Sequence, residues 1–425
     1  MVSASPFRAS GRSRLSVVVV AAGAALALPA LTLAAPASAT PARPAATRLV
    51  LPAQAGKAGA RSLPAAPARW SQFRYSPRRS GFNSLENVLG RGNVGTLTQK
   101  WRAAAGSEIR SSPAVVNGVV YVGTNGRSVI AANAATGKLI WRFRTQSGNV
   151  ISSPAVVNGV VYFGANDGNV YALQASSGHK IWSFFTNQRF TASPAVANGV
   201  VYISSVDART LSGATYALKA TTGNRLWRFA AGGSSSPAVS GGVVYVLDER
   251  GIVRAIDAAN GQQMWAFDTT AAGGCNHYST PAVANGTVYV ASTTGSVFAL
   301  KASSGHRLWT FKIGFRFPTC SSPAVANSVL YIGSGDGNLR ALNAATGQQL
   351  WAFTAGGSVI SSPAVANGVV YFGSGDHKIY GVNSTSGRML WSFTSGGTVP
   401  SSPAVVNGAV YAASTDGNLY AFTLP

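Results

Sequence analysis

Short apolar runs of four to six residues, cut by Asn-Gly and Asp-Gly pairs, recur from about residue 97 to the end of the chain. Runs of that length with period-two alternation predict β-strands, and the Gly-containing pairs between them predict hairpin turns. One copy opens on Pro154-Ala155-Val156 and continues with Val160-Val161-Tyr162-Phe163 and a turn at Asn166-Asp167-Gly168-Asn169. It then reads Val170-Tyr171-Ala172-Leu173, a turn at Ser177-Gly178 and Ile181-Trp182-Ser183-Phe184, which makes four antiparallel strands in all. No segment beyond the N-terminal region has helical periodicity.

The copies are marked by Pro113, Pro154, Pro194, Pro237, Pro281, Pro323, Pro363 and Pro403, each preceded by Ser or Thr and followed by Ala-Val, at spacings of 41, 40, 43, 44, 42, 40 and 40 residues. Eight such units predict an all-β chain folded as an eight-bladed β-propeller of four-stranded antiparallel blades. The eighth unit stops at Pro425 after its third strand, while Leu97-Thr98-Gln99-Lys100-Trp101-Arg102 is a Trp strand with no strands before it. The Trp101 strand is therefore expected to complete the last blade, and closure removes the open sheet edges that invite aggregation. In seven units a Gly stands four residues before a Trp: Gly137 before Trp141, Gly178 before Trp182, Gly223 before Trp227, Gly261 before Trp265, Gly305 before Trp309, Gly347 before Trp351 and Gly387 before Trp391. A positive-φ turn beside a flat indole suits the wedging of adjacent blades, so these seven Trp and Trp101 are read as docking residues. Trp70 lies outside the repeats.

The upstream region is of a different kind. Arg8, Arg12 and Arg14, an apolar run from Leu15 to Leu33 and Ala37-Ser38-Ala39 form the three parts of a secretory signal peptide over residues 1–39. Cleavage after Ala39 and Sec-type export are expected, leaving a secreted or cell-envelope-associated protein with no transmembrane segment; a retained anchor is the alternative. Residues 40–69, rich in Ala, Pro and Arg, are predicted to be a disordered linker, residues 70–96 a leader segment, and residues 97–425 the propeller. With 46% hydrophobic and only 11% charged residues the chain can bury a large core, and its net charge is +23. Such a basic exported chain could adhere to an anionic wall or membrane surface, although solubility alone is the plainer meaning. The cations are scattered, with no stripe of Arg and stacking aromatics, which argues against a nucleic-acid partner. A monomer is expected.

The pattern Ala-Leu-x-Ala-x-x-Gly-x-x-x-Trp, at Ala172 to Trp182, Ala299 to Trp309 and Ala341 to Trp351, resembles the tryptophan-docking repeat of pyrroloquinoline-quinone (PQQ) repeat propellers. The segment Trp70-Ser71-Gln72-Phe73-Arg74, with Gly81-Phe82-Asn83 and Asn93-Val94, is similar to the leader before the first blade of such proteins. That family includes quinoprotein alcohol dehydrogenases and a non-enzymatic propeller that scaffolds outer-membrane protein assembly. The resemblance covers about residues 70–425 and speaks for fold more than for activity.

For a dehydrogenase, the resemblance implies a quinone stacked on a Trp under a disulfide of sequence-adjacent cysteines, a calcium held by Glu and Asn, and an Asp as base. This chain has no adjacent cysteines, and Asp167, Asp336, Asp376 and Asp416 all fall in turns between second and third strands, where Asp ordinarily bonds its own backbone. Glu108 and Asp268 are the carboxylates best placed to reach a channel mouth, and His179, His277, His306 and His377 show no metal-ligand spacing. No catalytic residue, metal or cofactor is assigned; PQQ with calcium belongs to the alternative function.

Departures from the repeat point to grafted function. The Trp-to-Pro intervals between blades are 12, 13, 12, 10, 16, 14, 12 and 12 residues, and the two longest, consecutive ones alone contain Cys275 and Cys320. In an oxidising compartment these are expected to form a disulfide stapling adjacent loops; a free thiol or a metal pair is the other reading. The same loops carry Asn276, His277, Tyr278, Phe315, Arg316 and Phe317, and the loop before Pro194 carries Arg189 and Phe190. With Glu108 and Arg110 before the first blade, these are the candidate ligand-binding residues; a mere plug of the channel mouth is the alternative. One turn between second and third strands is stretched, Tyr202 to Tyr216, around Asp207, Arg209 and Thr210. The function expected is an exported non-catalytic binding or scaffold module with a protein or cell-envelope polysaccharide as partner. The alternative is a PQQ-dependent oxidoreductase of the alcohol or sugar dehydrogenase type.

Overall fold

Turn chemistry decides the shape of each unit. Between the first and second strands most units place Asn-Gly with both residues in the left-handed region, as at Asn158 (φ 50°) and Gly159 (φ 76°). That is the two-residue turn whose twist matches the strands it joins. In the computed structural model, which describes residues 69–207, 209–210, 212–269, 279–292, 294–313 and 321–425, the result is eight sheets. In blade 1, Ala114–Val116, Val119–Thr124, Ser128–Asn133 and Leu139–Arg144 pair antiparallel in chain order. The short first strands line the axis: Ala114–Val116 touches Ala155–Val157 of blade 2 on one side and Ala404–Val406 of blade 8 on the other.

Blade 8 closes as the sequence predicts. Thr98–Ala104 pairs antiparallel with Asn418–Thr423, setting Trp101 opposite Ala421. The Gly-Trp contact is made between blades, so every docking Trp except Trp391 meets the Gly of the following unit and not one of its own. A Cβ on Gly178 would lie 2.8 Å from the ring of Trp141, one on Gly261 2.8 Å from Trp227, one on Gly305 2.6 Å from Trp265, and one on Gly137 2.7 Å from Trp101. Each indole also donates Nε1–H to a carbonyl of the next blade. Trp141 reaches Ala175 at 2.8 Å, and Trp182, Trp227, Trp265 and Trp309 reach Ala220, Ala258, Ala302 and Ala344, each at 2.9 Å. Trp351 reaches Ser384 at 3.1 Å and Trp101 reaches Ala134 at 3.0 Å. Trp265 and Trp351 are partly exposed where the other six docking indoles are buried, yet both keep the carbonyl bond. At the closure Trp391 donates to Leu97, 3.0 Å away, because the outer strand of blade 8 comes from the other end of the chain. The residue before each Trp lies at a register shift in its strand. A bulge there turns Ile140, Ile181, Leu226, Met264, Leu308 and Leu350 outward, about half exposed.

The leader threads the ring. Trp70 exchanges two backbone hydrogen bonds with Val115 of blade 1, both 2.9 Å, and the Ser71 carbonyl accepts from Val156 of blade 2 at 2.7 Å. The Gln72 amide accepts from Val196 N–H at 2.9 Å and donates to its carbonyl at 3.1 Å in blade 3. The carbonyls of Pro77, Arg78, Ser80 and Gly81 accept from Val239, Val283, Val325 and Val365 of blades 4 to 7 at 2.8, 2.9, 2.8 and 2.8 Å. Asn83 Nδ2 donates to the Val405 carbonyl of blade 8 at 2.8 Å, and Phe82–Asn83 adds a parallel fifth strand to blade 7. Residues 70–83 thus turn once around the axis and touch every blade. So tight a path requires left-handed backbone at Arg74 (φ 60°), Tyr75 (φ 78°) and Arg79 (φ 59°).

Candidate functional site

Proline has no N–H, so the last free amide before each inner strand belongs to the Ser or Thr ahead of the Pro. These amides and hydroxyls form a closed belt. Ser112 N–H donates to Ser153 Oγ (2.9 Å), Ser153 to Ser193 (2.9 Å), Ser193 to Ser236 (2.9 Å) and Ser236 to Thr280 (3.3 Å). Thr280 donates to Ser322 (2.9 Å), Ser322 to Ser362 (3.0 Å), Ser362 to Ser402 (3.0 Å) and Ser402 back to Ser112 (2.9 Å). One residue earlier, serines in six of the eight blades hold the blade to itself, as where Ser111 Oγ accepts from Gly123 N–H at 3.0 Å and Ser361 Oγ from Gly373 N–H at 3.0 Å. Blade 3 has Ala192 at this place, and Ser235 of blade 4 donates to the Ser279 carbonyl of blade 5.

The belt surrounds an axial cup of about 130 Å³, lined by its eight hydroxyl residues with Phe73 of the leader, Arg110, Ile151, Thr191, Ser234, Ile360 and Pro400. Beneath Phe73 lie two fully buried arginines. The Arg79 guanidinium stands 5.5 Å from the Phe73 ring centroid and donates to the carbonyls of Pro237 (2.9 Å), Phe73 (2.7 Å) and Ser193 (2.9 Å). Arg74 donates Nη2–H to the Pro323 carbonyl, and its Nε and Nη1 have no partner among the described residues. Burial pulls both guanidiniums down to about 9, and the charge of Arg79 adds to the effect on Arg74; both stay charged at neutral pH. Among the described residues the buried acids are Glu86 and Asp248. Glu86 accepts from Leu89 and Gly408 N–H, and Asp248 pairs with Arg254 at 2.7 Å, so neither neutralises the pair under the cup.

The turn carboxylates are spent locally. Asp167 accepts from Asn169 N–H at 3.0 Å and the Tyr171 hydroxyl at 2.7 Å; Asp376 accepts from Lys378 N–H at 3.1 Å and Tyr380 at 2.6 Å. Asp416 repeats the arrangement with Asn418 and Tyr420, and Asp336 pairs with Arg340. Burial alone would raise Asp336, but hydrogen bonds from Arg340, Ser334 and Asn338 outweigh it and hold the carboxyl at about 2. Burial, and then the adjoining Asp167, push the Tyr171 hydroxyl up. The donor set does not fit a quinone–calcium centre: the described lining of the cup has no carboxylate, and among the described residues no cluster of His, Cys, Asp and Glu could hold a metal.

Of the residues singled out in the sequence, Arg110 lines the cup and pairs at 3.5 Å with Glu108, which also accepts from Asn125 Nδ2 at 2.8 Å. Arg189 forms a two-bond bridge with Val206, 2.9 Å each way, because the stretched turn extends the hairpin Val200–Val206/Gly213–Lys219 toward it. The Phe190 ring is closed off from solvent and meets Tyr216 edge to face at 5.9 Å, so it packs between blades and does not line the cup. Asp268 ends the outer strand Gln263–Asp268 of blade 4. The docking set of Trp101, Trp141, Trp182, Trp227, Trp265, Trp309, Trp351 and Trp391 stays in the wall, and none of the eight lines the cup. Cys275 and Cys320, with Asn276, His277, Tyr278, Phe315, Arg316 and Phe317, lie outside the described residues. Phe73, Arg74 and Arg79 were the residues sequence reasoning passed over. Their signal was a leader that conforms to no repeat yet carries Trp, Phe and Arg within five residues.

Comparison with known proteins gives one relationship at the level of sequence and several at the level of fold. The family described as outer membrane protein assembly factor BamB matches residues 91–189, 166–317 and 317–424. No curated protein matches the chain. A europium-containing methanol dehydrogenase superposes with a TM-score of 0.75 at 14% identity, covering 85% of this chain and 99% of that one. Quinohemoprotein alcohol dehydrogenase from Comamonas testosteroni gives 0.72 at 17%, covering 84% and 80%. BamB from Moraxella catarrhalis gives 0.64 at 19%, covering 77% and 97%. At these identities the solved structures share the fold alone, whereas the family match spans all eight blades. The chain belongs to the family of the outer membrane protein assembly factor BamB.

Proposed function

We propose that this chain is an exported, non-catalytic binding or scaffold propeller of the cell envelope, and that the axial cup is its ligand site. The observation that carries this reading is the cup itself: a closed belt of eight hydroxyl residues around Phe73, blind at its inner end because the leader fills the channel. Such a site offers convergent hydrogen-bonding groups over an apolar floor, the arrangement of a binding pocket. It offers no described acid, base or nucleophile in the relationships that catalysis needs. The family match supports a scaffold role with a protein partner; an envelope polysaccharide is the other partner proposed. Among the described residues no helix is long and apolar enough to cross a membrane, so attachment would run through a partner or through the N-terminal region.

The test is a ligand screen by thermal shift on the wild-type chain and on Ile360→Trp, which fills the cup. Hits that raise the melting temperature of the wild type and leave Ile360→Trp unmoved support the reading; hits that act equally on both place the site elsewhere. A second reading, a PQQ-dependent oxidoreductase, is favoured by the long superpositions on quinoprotein dehydrogenases. It predicts quinone absorbance and dye reduction with alcohols or sugars once PQQ and calcium are added.

A further inference from the structure

We infer that the axial cup takes an oxyanion, the carboxylate, sulfate or phosphate group of its ligand, held by hydroxyl protons of the belt over the two buried guanidiniums. This rests on the cup being the ligand site.

The hydrogen-bond direction around the belt selects the ligand. Each belt oxygen already accepts an N–H from the preceding blade, and none of the eight hydroxyls donates to an acceptor among the described residues. What remains at each position is one lone pair and an O–H proton that can swing toward the axis, so every belt hydroxyl can still donate to a ligand there. The cup is therefore rich in donors. Thr191, which also lines it, has a hydroxyl oxygen closed from solvent and without a partner among the described residues.

The charge points the same way. The lining has no described acid. Its one described cation, Arg110, is paired at 3.5 Å with Glu108, which is not among the lining residues, so the charge argument rests on the two buried guanidiniums. Arg79 lies directly under Phe73 and is bonded to the carbonyl of Ser193, itself a belt residue. Arg74 is 1% exposed, is hydrogen-bonded through one nitrogen only, and has no carboxylate partner among the described residues. Two buried cations without a described counter-charge hold the surrounding low-dielectric region positive, and such a field acts more strongly there than in water. A neutral polyol would use the hydroxyls but gain nothing from this field; an oxyanion uses both.

Removing Arg74 or Arg79 risks the fold, so the test acts on the wall of the cup. Inorganic phosphate and sulfate are titrated calorimetrically into the full chain at constant ionic strength, with Ile151→Asp and Ile151→Asn alongside. Ile151 is partly exposed in the lining, so either side chain can be solvated. Saturable binding is expected, weakened about tenfold or more by Ile151→Asp, because like charges repel at close range, and by less than about threefold by Ile151→Asn. Absence of saturable binding overturns the inference, as does equal weakening by both variants, which would mean a steric effect. Saturable binding of a neutral sugar with none of phosphate or sulfate would also overturn it while leaving the cup as the ligand site.

Discussion

In the wall of the propeller a contact made once is made seven or eight times, by the same residue types at the same places: a Trp over the next blade's Gly, a Ser amide to the next blade's hydroxyl. Along the axis the leader also meets eight blades, but through one short segment present once: carbonyls of Trp70, Ser71, Pro77, Arg78, Ser80 and Gly81 serve six blades, and the side-chain amides of Gln72 and Asn83 serve the other two. Redundancy makes the wall tolerant, because losing one of eight equal contacts leaves seven neighbours in register. The axis has no such reserve. A single defect there leaves buried carbonyls unpaired in the centre of the molecule, with no second copy to compensate.

The sharpest way to break this contrast is Arg79→Met. Methionine keeps much of the volume and removes the charge but strands the carbonyls of Phe73, Pro237 and Ser193. Unpaired buried acceptors cost roughly 1–3 kcal/mol each, partly offset by relief of the desolvated charge. A net loss of about 3–5 kcal/mol in denaturant unfolding is expected. A loss under about 1 kcal/mol would mean the carbonyls find other donors and the axis is as forgiving as the wall.

Next in size is Gly178→Ala. Its Cβ would lie 2.8 Å from the Trp141 ring at a φ of +73°, so both the indole and the backbone must yield. The expected cost is about 2–3 kcal/mol, and the same substitution at Gly223, where Trp182 lies 2.7 Å away, should give the same figure within about 0.5 kcal/mol. Unequal costs would show that the wall positions are less equivalent than their geometry. A smaller effect separates two changes in the belt: Ser153→Ala leaves the Ser112 amide without its acceptor at a cost of about 1–2 kcal/mol. Ser153→Thr should be close to neutral, since Thr280 already occupies the equivalent place. Both are read from urea midpoints.

The same contrast explains what the sequence made legible. Eight prolines, eight docking Trp and the orphan strand at Trp101 disclosed the blade count and the closure, because repetition separates a structural requirement from chance within one chain. Which Gly each Trp would meet was less plain: Trp227 stands four residues after Gly223 but packs on Gly261, and Trp265 packs on Gly305, since the wedge lies between units and not within one. The turn carboxylates were legible too, since an Asp two residues before an N–H it can reach is a local matter. The leader was not. Its partners lie up to 322 residues away, as with Asn83 and the Val405 carbonyl, and nothing in Trp-Ser-Gln-Phe-Arg specifies which blade each residue will meet. The belt was visible only as a recurrent Ser-Ser-Pro; its direction, and hence its spare protons, depends on the blades standing side by side. Phe190 was misleading for a related reason: an aromatic in an inter-blade loop can point into the seam as readily as out of it.

The smallest effect expected is on acid stability, and it belongs to the wall. The Asp336 carboxyl sits at about 2, where Arg340, Ser334 and Asn338 hold it, while an unfolded Asp titrates near 3.9. The unfolded chain therefore binds a proton first as pH falls. The stabilisation is complete above about pH 4, declines between pH 4 and 2, and is gone below. Because the turn is partly open to solvent, screening reduces its worth to about 1 kcal/mol. Asp376 and Asp416 are lowered in the same direction through the hydroxyls of Tyr380 and Tyr420, which offset burial. Arg340→Met should flatten the acid limb of a stability–pH curve by about that one increment, leaving the contributions of the other turns in place. If it removed the whole acid dependence, the turns would be acting as one coupled set, and the independence of the blades on which the comparison rests would fail.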